Sequence, residues 1–181
     1  MQLYPNTYYH LYNRTNANER LFIMRENYMY FLKKYRFFLA EDFSTLAYCL
    51  MPTHFHAFIF VKPEGSQKCS KRIGTLLSSY TQAFNKVYKR HGSLFQQHSH
   101  AKPIDSMQYA ATLTAYIHNN PLRSGLVSAP EEWEFSSYQD YCGLRKGTLV
   151  EKELVLSRFA TIEEFRQFSE GVQTVEERFW V

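Results

Sequence analysis

The chain has little of what several protein classes need. Its three cysteines, Cys49, Cys69 and Cys142, are odd in number, far apart and in no C-x-x-C spacing. That argues against a disulfide framework or a thiolate zinc site and suits reduced thiols. No apolar run approaches the roughly 20 residues that cross a bilayer, and MQLYPNTYYH has no basic segment leading into an apolar one. A soluble, cytoplasmic protein is expected. No internal repeat is present, and acidic residues are scarce in the first part of the chain. Residues 1–104 hold 14 Lys and Arg against 5 Asp and Glu, whereas residues 105–181 hold 7 against 12. The basic part suggests a polyanionic partner, nucleic acid first, with an ordinary solvated charge distribution as the alternative.

What is abundant is apolar and aromatic: 45% hydrophobic and 17% aromatic over 181 residues, enough to bury one substantial core. TYYHLYNR (7–14) reads as a strand, and the spacing of Tyr28, Phe31, Leu32, Tyr35 and Phe38 predicts a helix over about 26–40. STLAYCLM (44–51) and HFHAFIFV (54–61) read as strands joined at Pro52-Thr53, hence a hairpin. Ile73, Leu76, Leu77, Tyr80, Phe84, Val87 and Tyr88 mark a second helix ended by His91-Gly92. SLFQQHSHAKPI (93–104) reads as extended, and Met107, Tyr109, Ala110, Leu113, Tyr116 and Ile117 mark a third helix from Ser106 to Asn120.

The order predicts an α+β, ferredoxin-like (RRM-like) antiparallel sheet with helices on one face. Ser136 or Ser137 is placed to cap a short helix over 135–141. ELVLSRFA and IEEFRQF read as short amphipathic helices of an acidic extension (143–181) after a main domain over 1–142.

The histidines of CLMPTHFHAFIF are unusual in so apolar a strand. Residues two apart in a strand point to one face, so His54 and His56 project together and can grip one metal ion. Core imidazoles satisfied by backbone are the alternative, and a second His-x-His, His98 and His100, shows that the spacing is weak alone. In TAYIHNNPLRSGLV, Pro121 disfavours helical geometry at Asn120, so the third helix is expected to end there. Tyr116 lies four residues earlier on the same helical face, and His118 points elsewhere. Either a phenol and an amide ligand face the histidines, or Tyr116 is a core aromatic and Asn120 a cap.

MPTHFHAFIFV followed by YIHNNPLRSGLV resembles the single-tyrosine HUH transposases, in particular the REP-associated tyrosine transposases. YHLYNRTN, GSLFQ and WEFSSY add to the resemblance, which covers about residues 7–142. It implies that His54, His56 and Asn120 are metal ligands and Tyr116 the nucleophile. It further implies Mg or Mn as the cation, a covalent phosphotyrosine with a free DNA 3′-hydroxyl, and cut-and-rejoin transposition on single strands without a nucleotide cofactor. The implied partner is single-stranded DNA folded as a hairpin with a short guide sequence, in a bacterial cytoplasm and associated with the nucleoid when DNA-bound.

The basic residues expected to hold that DNA are Arg14, Lys71, Arg72, Lys86, Lys89, Arg90, Lys102 and Arg123. Thr53 stands where the family often has Asn, Thr15 where Gly is common, and QQHSHAKPI is poor in Arg, departures that bear on substrate preference. Two other readings remain: a descendant that grips hairpin DNA without cutting, and an RNA-binding ferredoxin-like module with aromatics on its sheet. Monomer and homodimer are both open.

Overall fold

A computed structural model describes residues 1–16, 19–65 and 68–172. Residues 17–18, 66–67 and the end of the predicted acidic extension (173–181) lie outside the described residues, as do the side chains at 107 and 108, Met107 of the third-helix stripe among them. The elements run β1 (Tyr8–Arg14), α1 (Arg25–Leu39), β2 (Phe43–Met51), β3 (His54–Val61), α2 (Cys69–Tyr88), β4 (His100–Pro103) and α3 (Met107–Arg123), followed by α4 (Tyr138–Tyr141), α5 (Glu153–Leu156) and α6 (Ile162–Gly171). The four strands form an antiparallel sheet ordered β2-β3-β1-β4, the order of a ferredoxin-like sandwich. β2 and β3 are the predicted hairpin, Met51 pairing with His54 across Pro52-Thr53. Among the described residues no helix is long and apolar enough to cross a membrane.

Strand alternation divides the core in two. Tyr9, Leu11, Tyr48, Leu50, Phe55, Ala57, Ile59 and Val61 face one way and bury Phe31, Tyr35, Ile73, Leu76 and Tyr80 of α1 and α2. Ala47, Cys49, Met51 and Phe58 face the other way and bury Ala110, Leu113, Tyr116 and Ile117 of α3. The ferredoxin-like frame stands, with α1 and α2 on one face as expected. The third helix lies on the opposite face, because every residue of β2 is buried and its second apolar face also needs a cover. Burial of a Phe or Leu side chain contributes roughly 1.5–3 kcal/mol, so either layer is a large share of the stability.

Three boundaries differ from the local reading. The extended segment 93–104 keeps only four residues of strand, as Asn13 Nδ2 donates instead to Gln96 O (3.3 Å) and Ser99 Oγ (2.9 Å). Lys89, with φ of 51°, takes the left-handed position that ends α2, ahead of Gly92. α3 continues through Pro121 to Arg123. Proline removes one backbone donor, yet Ser124 N–H reaches Asn120 O (3.0 Å) and Leu126 N–H reaches Pro121 O (2.9 Å), and Gly125, with φ of 67°, ends the turn.

The segment after α3 closes the open edge of the sheet. Leu50 N–H donates to Phe135 O (2.9 Å) and Ser137 N–H to Tyr48 O (3.0 Å), so Phe135–Ser137 of WEFSSY run beside β2. Ser137 is the residue before α4, and its Oγ accepts from Tyr48 N–H (2.9 Å) rather than from the helix, while Ser136 Oγ accepts from Tyr138 N–H (3.2 Å). Arg145 pins the segment: it donates to the buried Asp140 carboxylate (2.6 Å) and to the carbonyls of Glu134 and Ser136 (both 2.7 Å). Val155 of α5 and Phe165 of α6 join the α3 side of the core.

Two expectations follow. Arg145→Ala leaves the Asp140 carboxylate buried without its cation and should cost about 3–5 kcal/mol, read from urea unfolding. His118, buried with Nε2 2.7 Å from Ser137 Oγ, has its pKa lowered by burial from 6.5 to about 3. Between those values the unfolded chain binds more protons than the folded one. Stability is therefore whole above pH 6.5 and falls as pH drops toward 3, by up to about 1.4 kcal/mol per pH unit for this group. His118→Gln should flatten the dependence in melts taken across that range.

Candidate active site

Register sets the floor of the site. Cross-strand partners share a face, so pairing of β1 with β3 puts Tyr12 beside His56 and Arg14 beside His54, while β4 adds Lys102 opposite His10 and His100 opposite Tyr12. β3 itself projects His54 and His56 together, ring centroids 5.1 Å apart. α3 lies above. Its Tyr116 ring stands edge-on 5.9 Å from His56 and 6.3 Å from His10, and the Arg123 guanidinium lies 5.3 Å from the Tyr116 ring centroid. Because α3 passes Pro121, Arg123 shares this mouth with Tyr116.

The imidazoles are oriented by their δ nitrogens. His54 Nδ1 is 3.1 Å from Thr53 Oγ1, and His56 Nδ1 is 2.9 Å from His10 Nε2. Both keep Nε2 without a hydrogen-bond partner among the described residues. Burial, with Arg14 nearby, lowers the His54 pKa to about 4; burial, with His10 and His54 nearby, puts that of His56 well below 6.5. Both rings are therefore neutral at physiological pH, the form that ligates a metal. Asn120 Nδ2 donates back to Tyr116 O (2.9 Å); the amide oxygen is the atom of this side chain that could ligate a cation.

Two neutral imidazoles with bare Nε2 atoms and one amide oxygen suit a divalent cation. Among the described residues no group of three or more His, Cys, Asp or Glu side chains is placed to hold one. Burial raises the Tyr116 pKa above 10, opposed by Arg123 and by the Asn120 side chain.

The basic residues predicted to hold a polyanion divide into two groups. Arg14, Lys102 and Arg123 reach the histidine face, Lys102 lying 5.5 Å from the Tyr12 ring centroid. Lys71, Arg72, Lys86, Lys89 and Arg90 belong to α2 or the residues just after it, across the sheet. There Arg72 pairs with Glu41 (2.7 Å) and Asp42 (2.9 Å), and Arg90 with Glu19 (2.6 Å).

Sequence reasoning missed His10, Tyr12 and His100. Tyr12 and His100 stack at 4.9 Å and 13° beside the histidine pair. The alternation in YYHLYNR was the available signal, since it puts His10 and Tyr12 on one face; which neighbouring strand that face joins is set by register. His118 points away from the site, as expected, to Ser137.

These features define an α+β domain with a histidine pair on its sheet and a tyrosine on the covering helix. The family described as "Transposase IS200 like" matches residues 4–120, and the chain belongs to that family. A protein of Haemophilus influenzae named "Putative REP-associated tyrosine transposase" is 28% identical over 105 residues, 53% of this chain and 59% of that protein. The chain thus matches about six-tenths of the length of that relative. A solved structure described as "Structure of the REP associates tyrosine transposase bound to a REP hairpin" superposes with a TM-score of 0.65 at 19% identity, covering 79% of this chain and 82% of that one, and shares its fold. The resemblance to REP-associated tyrosine transposases is borne out by these similarities. Transposases of this kind generally use a divalent metal.

Proposed function

We propose that the protein is a metal-dependent single-stranded DNA endonuclease and strand transferase that cuts hairpin-associated DNA through a phosphotyrosine intermediate. The observation that carries this reading is the Tyr116 ring held edge-on 5.9 Å from His56, with Asn120 one helical turn on. Family membership and the REP hairpin bound to the transposase of similar fold support the partner.

Tyr116 Oη attacks the scissile phosphorus and loses its proton. The new Oη–P bond replaces the bond from phosphorus to the 3′ oxygen, which leaves with the electron pair and takes up a proton. One phosphodiester is exchanged for another, so a different DNA 3′-hydroxyl can reverse the step. Arg123 favours the ionised phenol, against the burial that opposes it. A divalent cation, Mg or Mn, held by His54, His56 and Asn120, would supply charge neutralisation at the phosphate. The Tyr12–His100 stack offers an aromatic face beside the site, where a base could stack. The RNA-module alternative needs the open sheet face that α3 covers.

The test is covalent capture of labelled single-stranded hairpins with Mn on a denaturing gel. A protein-linked band is expected for the parent and none for Tyr116→Phe. Equal bands for both would assign the attack to another residue, and retardation on a native gel without any band would favour a binder that does not cut. The split of the basic residues is tested separately by gel retardation. Arg14→Gln and Lys102→Gln should each weaken binding of short hairpins several-fold, more than Lys86→Gln or Lys89→Gln, with a reduced salt slope.

A further inference from the structure

We propose that His10 is a positioning residue: its Nε2 can accept the His56 Nδ1 proton and so supports the one tautomer of His56 whose Nε2 can ligate a cation. This inference rests on the reading of His56 as a ligand. A neutral imidazole has one donor and one acceptor nitrogen, so the 2.9 Å pair of His10 Nε2 and His56 Nδ1 has only two proton arrangements. If His56 donates, its Nε2 carries a lone pair and the proton of His10 sits on Nδ1. If His10 donates, the His56 proton moves to Nε2 and ligation is blocked.

The surroundings leave the choice to the pair. His10 is fully buried, and among the described residues its Nδ1 has no hydrogen-bond partner, so no carboxylate or carbonyl of those residues locks its tautomer from behind. A ligating histidine ordinarily donates its second N–H to a fixed acceptor. Here the acceptor is another imidazole, able to reverse the bond, and a cation at His56 Nε2 selects the productive arrangement. The His10 ring lies nearly coplanar beside His56, centroids 5.1 Å apart and 21° between planes, and meets the edge of Tyr116 at 6.3 Å. It therefore sets the angle of the ligand beneath the tyrosine without itself touching the reacting atoms.

Three variants separate this role from packing. Gln carries its amide as far from the backbone as Nε2 and can accept the proton, Asn falls one bond short, and Leu cannot accept at all. Mn binding would be read from the electron paramagnetic resonance of the free ion, with folding followed by circular dichroism. The tautomer of His56 would be read from long-range proton–nitrogen spectra of the Mg-loaded parent.

The expected results are Mn binding weakened roughly 10–100-fold in His10→Leu and His10→Asn, binding within a few-fold of the parent in His10→Gln, and the His56 proton on Nδ1. Folded His10→Asn binding Mn as tightly as the parent, or a His56 proton on Nε2 in the Mg-loaded protein, would overturn the role of His10 alone. No Mn bound by the parent would overturn the metal reading, and this inference with it.

Discussion

The site depends first on the antiparallel register of β1 against β3. That pairing sets Tyr12 against His56 and Arg14 against His54, and every other functional neighbour follows from it. A shift of one residue would turn His10 and Tyr12 toward α1 and α2 and bury Leu11 and Tyr9 where imidazoles now lie. The apolar positions that fill the two core layers therefore also hold the polar constellation in place, since Tyr9, Leu11, Phe55 and Ala57 cannot leave their layer without exposing it.

Much of this was legible from local pattern. Alternation in HFHAFIFV put His54 and His56 on one face, and helical spacing put Tyr116 and Asn120 on another surface together. Long-range relations were not legible. Whether His10 meets His56 depends on which strands neighbour one another, and whether α2 or α3 crosses the histidine face depends on which layer each apolar stripe fills. Hence the α2 cations could be read as surface charge but not assigned a side of the sheet. At Pro121 a sound local rule gave way: the backbone bonds of Ser124 and Leu126 carry α3 past the proline and bring Arg123 over Tyr116.

Electrostatics and burial pull in opposite directions across the site. Burial keeps His10, His54 and His56 uncharged and raises the Tyr116 pKa, while Arg123, at the mouth, favours phenolate. Neutral imidazoles beside a cationic rim suit a polyanion approaching from the rim, because the rings add no charge of their own. Two acidic residues of the neighbouring segments are engaged elsewhere, Asp140 with Arg145 and Glu131 with Arg166.

The anchoring of α3 also says where this chain can be cut for expression. The family match stops at residue 120, yet the helix that carries Tyr116 is tied down by partners beyond it: Ser137 to His118, and the Ser169 carbonyl, which accepts from Asn119 Nδ2 at 2.7 Å. A fragment ended at the match boundary would keep every proposed ligand and the nucleophile. It would nonetheless lose the strand that closes β2, leaving a bare sheet edge open to self-association. For this chain the hydrogen bonds that anchor α3 reach past the similarity boundary, as far as α6.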